Sequence, residues 1–410
     1  MRRVGLALAL ALLVPSAAST APAEHWVGSW ASAQQVPEPQ NSLADTDLSD
    51  TTLREHFRLS LGGSHLRVRL SNLFGTQPLV IDAATVGRAA DPAGNALVPG
   101  SVRPLTFAGA TEVTIPAGAE YLSDPVALDA PPLATLAISL HFPHAPARQT
   151  GHPGSRATTW IAAGNQTGSP VLHSAKGVEH WYELASVEVE GQPGAASVVA
   201  FGDSITDGHG VGTNRNTRWP DVLAERLQAA PATRGIGVLN LGIGGNRLLL
   251  DGLGPNALAR FDRDVLGEPG VRWAIVLEGV NDLGTFTRDT PQSPAAHQAH
   301  VRQIIAALAQ MEMRARAHGV FLIGGTIMPF GASAYYHPDA ATEADRQAIN
   351  RWIRTPGHFD ALIDFDALTR DPAHPERLSP AFDSGDGLHP SEAGYRAMGE
   401  AIPLSLFARR

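Results

Sequence analysis

The apolar pattern of the chain changes period once, near residue 195. Before that point apolar and polar residues alternate in short runs: Phe57, Leu59 and Leu61, then Leu66, Val68 and Leu70. A period of two is that of a half-buried strand, because successive side chains point to opposite faces. Gly62-Gly63-Ser64 lies between these two runs and reads as a hairpin turn. Further strand-like runs occupy 79–86, 113–115, 135–142, 157–162 and 181–189, with Gly and Pro punctuating them. Short strands at close spacing, without helical period, predict an antiparallel β-sandwich or jelly roll over residues 24–190.

Beyond Gln192-Pro193-Gly194, which reads as a linker, strands alternate with helices. Near-continuous apolar runs at 197–201, 237–241, 273–278, 320–327 and 361–365 read as buried strands. Between and after them, 219–229, 258–265, 293–318, 342–354 and 391–404 read as helices. In the first of these Pro220 sits near the start, where its missing N–H costs nothing, and Val222, Leu223 and Leu227 make one apolar face. Such alternation predicts a parallel sheet covered on both faces over residues 195–410. Reactive groups then belong at the C-terminal ends of the strands.

The first residues change the picture. Arg2 and Arg3 precede an apolar run from Val4 to Val14, and small residues follow, with cleavage expected after Ala18 or Ala23. The run is too short to span a bilayer well. Residues 1–23 are therefore expected to be a cleavable signal peptide, and the mature protein to be secreted or periplasmic, without a transmembrane segment. A formal net charge of −9 speaks against nucleic acid or an anionic membrane as the main partner. The absence of cysteine excludes disulfides, thiol chemistry and Cys-rich metal frameworks.

Four segments place functional groups after predicted strands. They are Gly202-Asp203-Ser204-Ile205, Gly242-Ile243-Gly244-Gly245-Asn246, Gly279-Val280-Asn281-Asp282 and Asp386-Gly387-Leu388-His389. A lone Gly-Asp-Ser is common by chance; four blocks in this order, each after a strand, are specific. Over roughly 198–401 the chain resembles the SGNH hydrolases, also called the GDSL esterase and lipase family. It departs from the family name only in Ile205, where Leu is usual. The resemblance implies a three-layer α/β/α, flavodoxin-like domain. The α/β-hydrolases share the chain order Ser, Asp, His, but their G-x-S-x-G elbow is absent, since Thr206 stands at its second glycine.

A serine hydroxyl is inert until a base removes its proton, so Ser204 needs His389 as general base and then acid. Asp386, three residues earlier, is placed to hold the imidazole tautomer. The resemblance implies that the oxyanion donors are the backbone N–H groups of Ser204 and Gly245 and the side-chain amide of Asn281. Asn246 and Arg247 are candidate substrate-binding residues, lining the acyl or alcohol pocket. Asp203 and Asp207 are expected to hold the nucleophile loop. The segment Gly242 to Gly245 lacks a dinucleotide fingerprint and a P-loop Lys. His141, His144 and His152 are spaced too loosely for a metal site and read, with His297, His300 and His318, as surface residues. No metal or organic cofactor is expected. The family's range of substrates leaves the ester open; a short-chain acyl or acetyl ester, on a small molecule or a polysaccharide, is preferred. The same residues would serve an acyltransferase, and an inactive domain would leave a carbohydrate-binding protein. The β half resembles the N-terminal sandwich of some secreted bacterial SGNH esterases, through Trp26-Val27-Gly28-Ser29-Trp30 and the segment from Leu66 to Gly75. It is expected either to shape one wall of the cleft or bind carbohydrate, or simply to stabilise its companion.

Overall fold

Two apolar cores divide the residues described by this computed structural model, 24–408. The segment predicted as a signal peptide, 1–23, lies outside them. The first core gathers side chains such as Leu53, Phe57, Val68, Leu140 and Val187, all from before residue 196. Two antiparallel sheets share it. One joins Trp26–Ala31, Leu184–Glu190, Gly63–Ser71 and Glu120–Leu122, with Val126–Ala130 also on Gly63–Ser71; the other is built around Thr159–Ala163, Thr51–Arg58, Thr135–Phe142 and Ala83–Arg88.

The hairpin predicted at Gly62-Gly63-Ser64 does not form. Thr51–Arg58 lies in one sheet and Gly63–Ser71 in the other, so the chain crosses between sheets at this point. A Cβ on Gly62 would meet the Ala130 carbonyl oxygen and the Pro132 nitrogen at 2.6 Å. The glycine thus serves a close passage of two backbones. The run 79–86 also divides, at Asp82: Leu79–Ile81 pairs with Val113–Ile115, while Ala83–Arg88 joins the larger sheet.

The second core belongs to a five-stranded sheet in which every pair is parallel. Its strands are Ala196–Gly202, Ile236–Gly242, Val271–Leu277, Phe321–Gly325 and Ala361–Ile363. The second strand along the chain lies at one edge, then come the first, third, fourth and fifth. This order reverses beside the first strand, which puts the switch point at the end of Ala196–Gly202. Trp219–Ala229, Pro294–Ala317, Ala340–Arg354 and Glu392–Ala401 are the main helices. The last is capped by Ser391, whose hydroxyl accepts from the Gly394 N–H, as Asp339 caps Ala340–Arg354 through the Thr342 N–H. The helix predicted over 258–265 is a short helix, Ala257–Phe261, continued by a wider turn, Asp262–Leu266. Among the described residues, no helix is long and apolar enough to cross a membrane.

Candidate active site

The first strand, Ala196–Gly202, delivers Asp203 and Ser204 into a single helical turn, Ser204–Asp207. Asp203 caps that turn by accepting from the Ile205 N–H at 2.9 Å, and Gly208 closes it with φ 91°. Residue 204 is thereby fixed at a helix start, its side chain buried to 6 % exposure. Burial, with the Asp282 carboxyl nearby, pushes Asp203 up to about 7.

The last block folds as a tight turn before Glu392–Ala401 and brings His389 to Ser204. The Ser204 Oγ lies 2.8 Å from His389 Nε2, and His389 Nδ1 lies 2.6 Å from Asp386 Oδ2. The other carboxylate oxygen of Asp386 accepts from the backbone N–H groups of Leu388 and His389, each at 2.8 Å. Partial burial raises the Asp386 pKa, but these bonds and the one to the His389 ring outweigh it and bring the group to about 2. Asp386 is therefore a carboxylate at any ordinary pH, so Nδ1 carries the proton and Nε2 faces the serine as an acceptor. Burial pushes the His389 imidazole below its usual 6.5, against the opposing pull of Asp386.

The oxyanion donors can be traced in the same way. Gly245 has φ 71°, a left-handed conformation natural to glycine, and lines the cleft with Ser204 and Asn281. The backbone N–H groups of Ser204 and Gly245 donate to no protein group among the described residues. Asn281 sits in the first turn of a helix, Val280–Thr287, that follows the third parallel strand. One of its Nδ2 hydrogens goes to the Asn246 carbonyl at 2.8 Å, and its Oδ1 accepts from the Tyr336 hydroxyl at 2.6 Å. The second Nδ2 hydrogen is left for a ligand.

The two candidate substrate-binding residues part company. Arg247 lines the cleft, and among the described residues its guanidinium donates only to the backbone carbonyl of Asp251. Asn246 is corrected: its side chain is buried in the fold, donating to the Leu253 and Pro255 carbonyls and accepting from Arg260. A neighbouring glycine needs close backbone approach, so the next side chain is spent on fixing the loop. Arg260 also donates to the Gly202 and Leu241 carbonyls and pairs with Asp264, tying the ends of the first two strands together.

Three histidines read as surface residues are buried. His152 donates to the Ala33 carbonyl at 2.8 Å and meets Asp207 Oδ1 at 2.9 Å, with both side chains 3 % exposed. His141 lies against Asp82 at 2.6 Å, and His297 is bonded to Asp345. Each is covered because a carboxylate on a distant segment meets it, and sequence spacing carries no trace of such a partner. Sequence reasoning also missed Tyr336, on the loop after the fourth parallel strand, and His209, whose ring lies against that of His389, tilted by 33° with centroids 4.0 Å apart. His209 lies five residues past the nucleophile, which was the available signal.

His209, Asp386 and His389 form a group whose ligand atoms lie within 4.8 Å of one another. Both nitrogens of His389 are already engaged, by Ser204 and Asp386, so the arrangement is that of a nucleophile, its base and the carboxylate that orients the base. The cleft around it encloses about 1010 Å³ and is walled in part by the N-terminal region, through Gln35, Glu38, Asn41, Arg156 and His180. That answers one of the readings of the β half: it shapes the cleft.

Residues 200–397 match the GDSL-like lipase/acylhydrolase family. Those residues form a GDSL-like lipase/acylhydrolase domain. It is a carboxylic ester hydrolase by class. No curated protein matches the chain. Among solved structures, a GDSL-like lipase from Bacteroides thetaiotaomicron is similar at 19% identity and TM-score 0.39, over 53% of this chain and 90% of that one. The M. smegmatis aryl esterase is similar at 17% identity and TM-score 0.38, over 52% and 99%. A carbohydrate acetylesterase from Sinorhizobium meliloti, Est24, stands at 16% and 0.37, over 52% and 99%.

Proposed function

We propose that this chain is an exported serine esterase hydrolysing short-chain acyl esters, acetyl esters of carbohydrates among them. The observation that carries the reading is the unbroken line from Ser204 Oγ through the His389 ring to Asp386, with bonds of 2.8 and 2.6 Å, opening on a large cleft. Ser204 attacks the acyl carbonyl while His389 Nε2 takes its proton. The resulting oxyanion is met by the N–H groups of Ser204 and Gly245 and by the Asn281 amide. The alcohol leaves with the proton from His389, and a water deprotonated by the same nitrogen then releases the acid from Ser204. Asp386 holds the ring and stabilises its charged form.

Support for export comes from residues 1–23, with Arg2 and Arg3 ahead of a short Leu- and Ala-rich run. The domain division we propose is 24–190 for the β-rich part and 195–410 for the hydrolase, with 191–194 between them. A short acyl group suits the region around Gly245, where a Cβ would already meet Leu253 Cδ1 at 2.5 Å. The test is release of p-nitrophenol from esters of increasing acyl length by wild type and Ser204→Ala. The reading expects activity concentrated on the shortest acyl groups and lost in the variant. Turnover persisting in Ser204→Ala would remove the nucleophile assignment.

A further inference from the structure

The wall that the N-terminal region adds to the cleft carries polar groups that the reaction does not use. Glu38 is half-buried there. Its Oε1 accepts from Gln35 Nε2 at 3.1 Å and its Oε2 from Asn41 Nδ2 at 2.7 Å. No cation pairs with it among the described residues, and a carboxylate has about four acceptor positions, so each oxygen keeps one free. His180 donates from Nδ1 to the Pro153 carbonyl at 2.7 Å, which leaves Nε2 as an acceptor. Arg156 supplies donors. Its Nε goes to the Gly208 carbonyl at 3.2 Å, and its two terminal nitrogens have no protein partner among the described residues. The Arg156 backbone holds φ 49°, a conformation that costs a non-glycine residue energy, and its carbonyl is tied to the Asn214 N–H at 2.8 Å. Tyr335, 61 % exposed, adds an aromatic surface to the same cleft.

The sign of these groups narrows the occupant. A cationic alcohol would meet the guanidinium groups of Arg156 and Arg247. An anionic one would meet the carboxylates of Glu38 and Asp386. A long hydrocarbon would leave Glu38, His180 and Arg156 without water or partners, and each polar group so stranded counts against it. A neutral group rich in hydroxyls satisfies all of them, since each hydroxyl both donates and accepts.

We propose that Glu38, His180 and Arg156 form a hydroxyl-binding subsite for the alcohol half of the ester, a sugar or comparable polyol, so that the N-terminal region selects the substrate. This rests on the serine-esterase reading and extends it to a second part of the chain. The test uses the full chain and four acetate esters: monoacetylated methyl glucoside, cyclohexyl acetate, acetylcholine and p-nitrophenyl acetate. Wild type is expected to favour the glucoside over cyclohexyl acetate in kcat/KM by about tenfold or more, the worth of one or two charge-assisted hydrogen bonds. In Glu38→Ala, and separately in His180→Ala, that ratio is expected to fall by about tenfold, through a higher KM for the glucoside. The proposal is overturned if wild type prefers cyclohexyl acetate, if acetylcholine is the best of the four, or if both variants keep the wild-type ratio. Failure of the esterase reading itself looks different: no turnover of p-nitrophenyl acetate either.

Discussion

The Tyr336 hydroxyl donates to Asn281 Oδ1 at 2.6 Å, and so fixes which way the amide faces. With one Nδ2 hydrogen held by the Asn246 carbonyl, the remaining hydrogen has a single direction available. An oxyanion donor works through being aimed before the charge develops. Tyr336→Phe keeps the ring, packed closely against Gly284, and removes only the bond. We expect kcat to fall about tenfold, the worth of one orienting hydrogen bond, with KM little changed. Asn281→Ala should cost more, about 10²–10³ in kcat. Equal losses in kcat and in affinity for Tyr336→Phe would show a general disturbance of the pocket instead.

The acid limb of the pH profile follows from His389. Burial holds its pKa below the usual 6.5, and only the neutral ring can take the Ser204 proton. The kcat/KM limb should therefore inflect below pH 6.5, with activity retained above it and lost as pH falls through the imidazole pKa. Asp386 pulls that pKa upward, so Asp386→Asn should move the inflection further down. The same change puts an amide donor against Nδ1 and favours the wrong tautomer, for an expected loss of about 10⁴ in kcat. A wild-type limb centred above 6.5 would contradict the burial of the base.

Ser204, Gly245 and Asn281 were legible in the sequence because each follows an apolar run that reads as a buried strand, and Asp386 and His389 because a carboxylate and an imidazole stand three residues apart near the end of the chain. The structure brings all five to one cleft. Their local supports, Asp203 and Asp386, were legible too, but their distant ones were not. Tyr336 and His152 act through partners 55 residues away, Asn281 and Asp207 respectively, and no local pattern encodes such a pairing. The β half shows the same limit at a larger scale. Its alternating runs were readable as strands, yet whether two consecutive strands pair or cross depends on the space around Gly62, which is a tertiary fact.

Gly245 offers a test of the oxyanion loop independent of Asn281. At φ 71° any side chain is strained, by roughly 1–2 kcal/mol, and a Cβ would push on Leu253. Gly245→Ala should move the N–H off its line and lower kcat about tenfold or more, while Tm falls by only a few degrees. Measuring both on one preparation separates the two effects. Activity lost only in proportion to a collapsed Tm would assign Gly245 to folding alone.

The pair of His152 and Asp207 predicts how stability follows pH. Burial alone would raise the Asp207 pKa; the His152 ring, through its charge and hydrogen bond, and Arg156 and Arg218 nearby bring it below 3.8. A depressed carboxylate contributes stability above its unfolded value, and loses that contribution as pH falls through the folded pKa. The pair therefore strengthens the contact between the N-terminal region and the nucleophile turn at neutral pH, and stops doing so below about pH 3.8. His152→Ala leaves the Asp207 carboxylate buried without its imidazole, which should cost about 3–5 kcal/mol at pH 7. In that variant the carboxyl gains a reason to stay protonated, so the deficit should shrink as pH drops toward 4. Thermal unfolding of both proteins at pH 7 and pH 4 gives the comparison: the Tm gap should be widest at pH 7. A gap that widens on acidification would mean that His152 stabilises the junction by packing against Trp181, 5.7 Å from its ring, and not through charge.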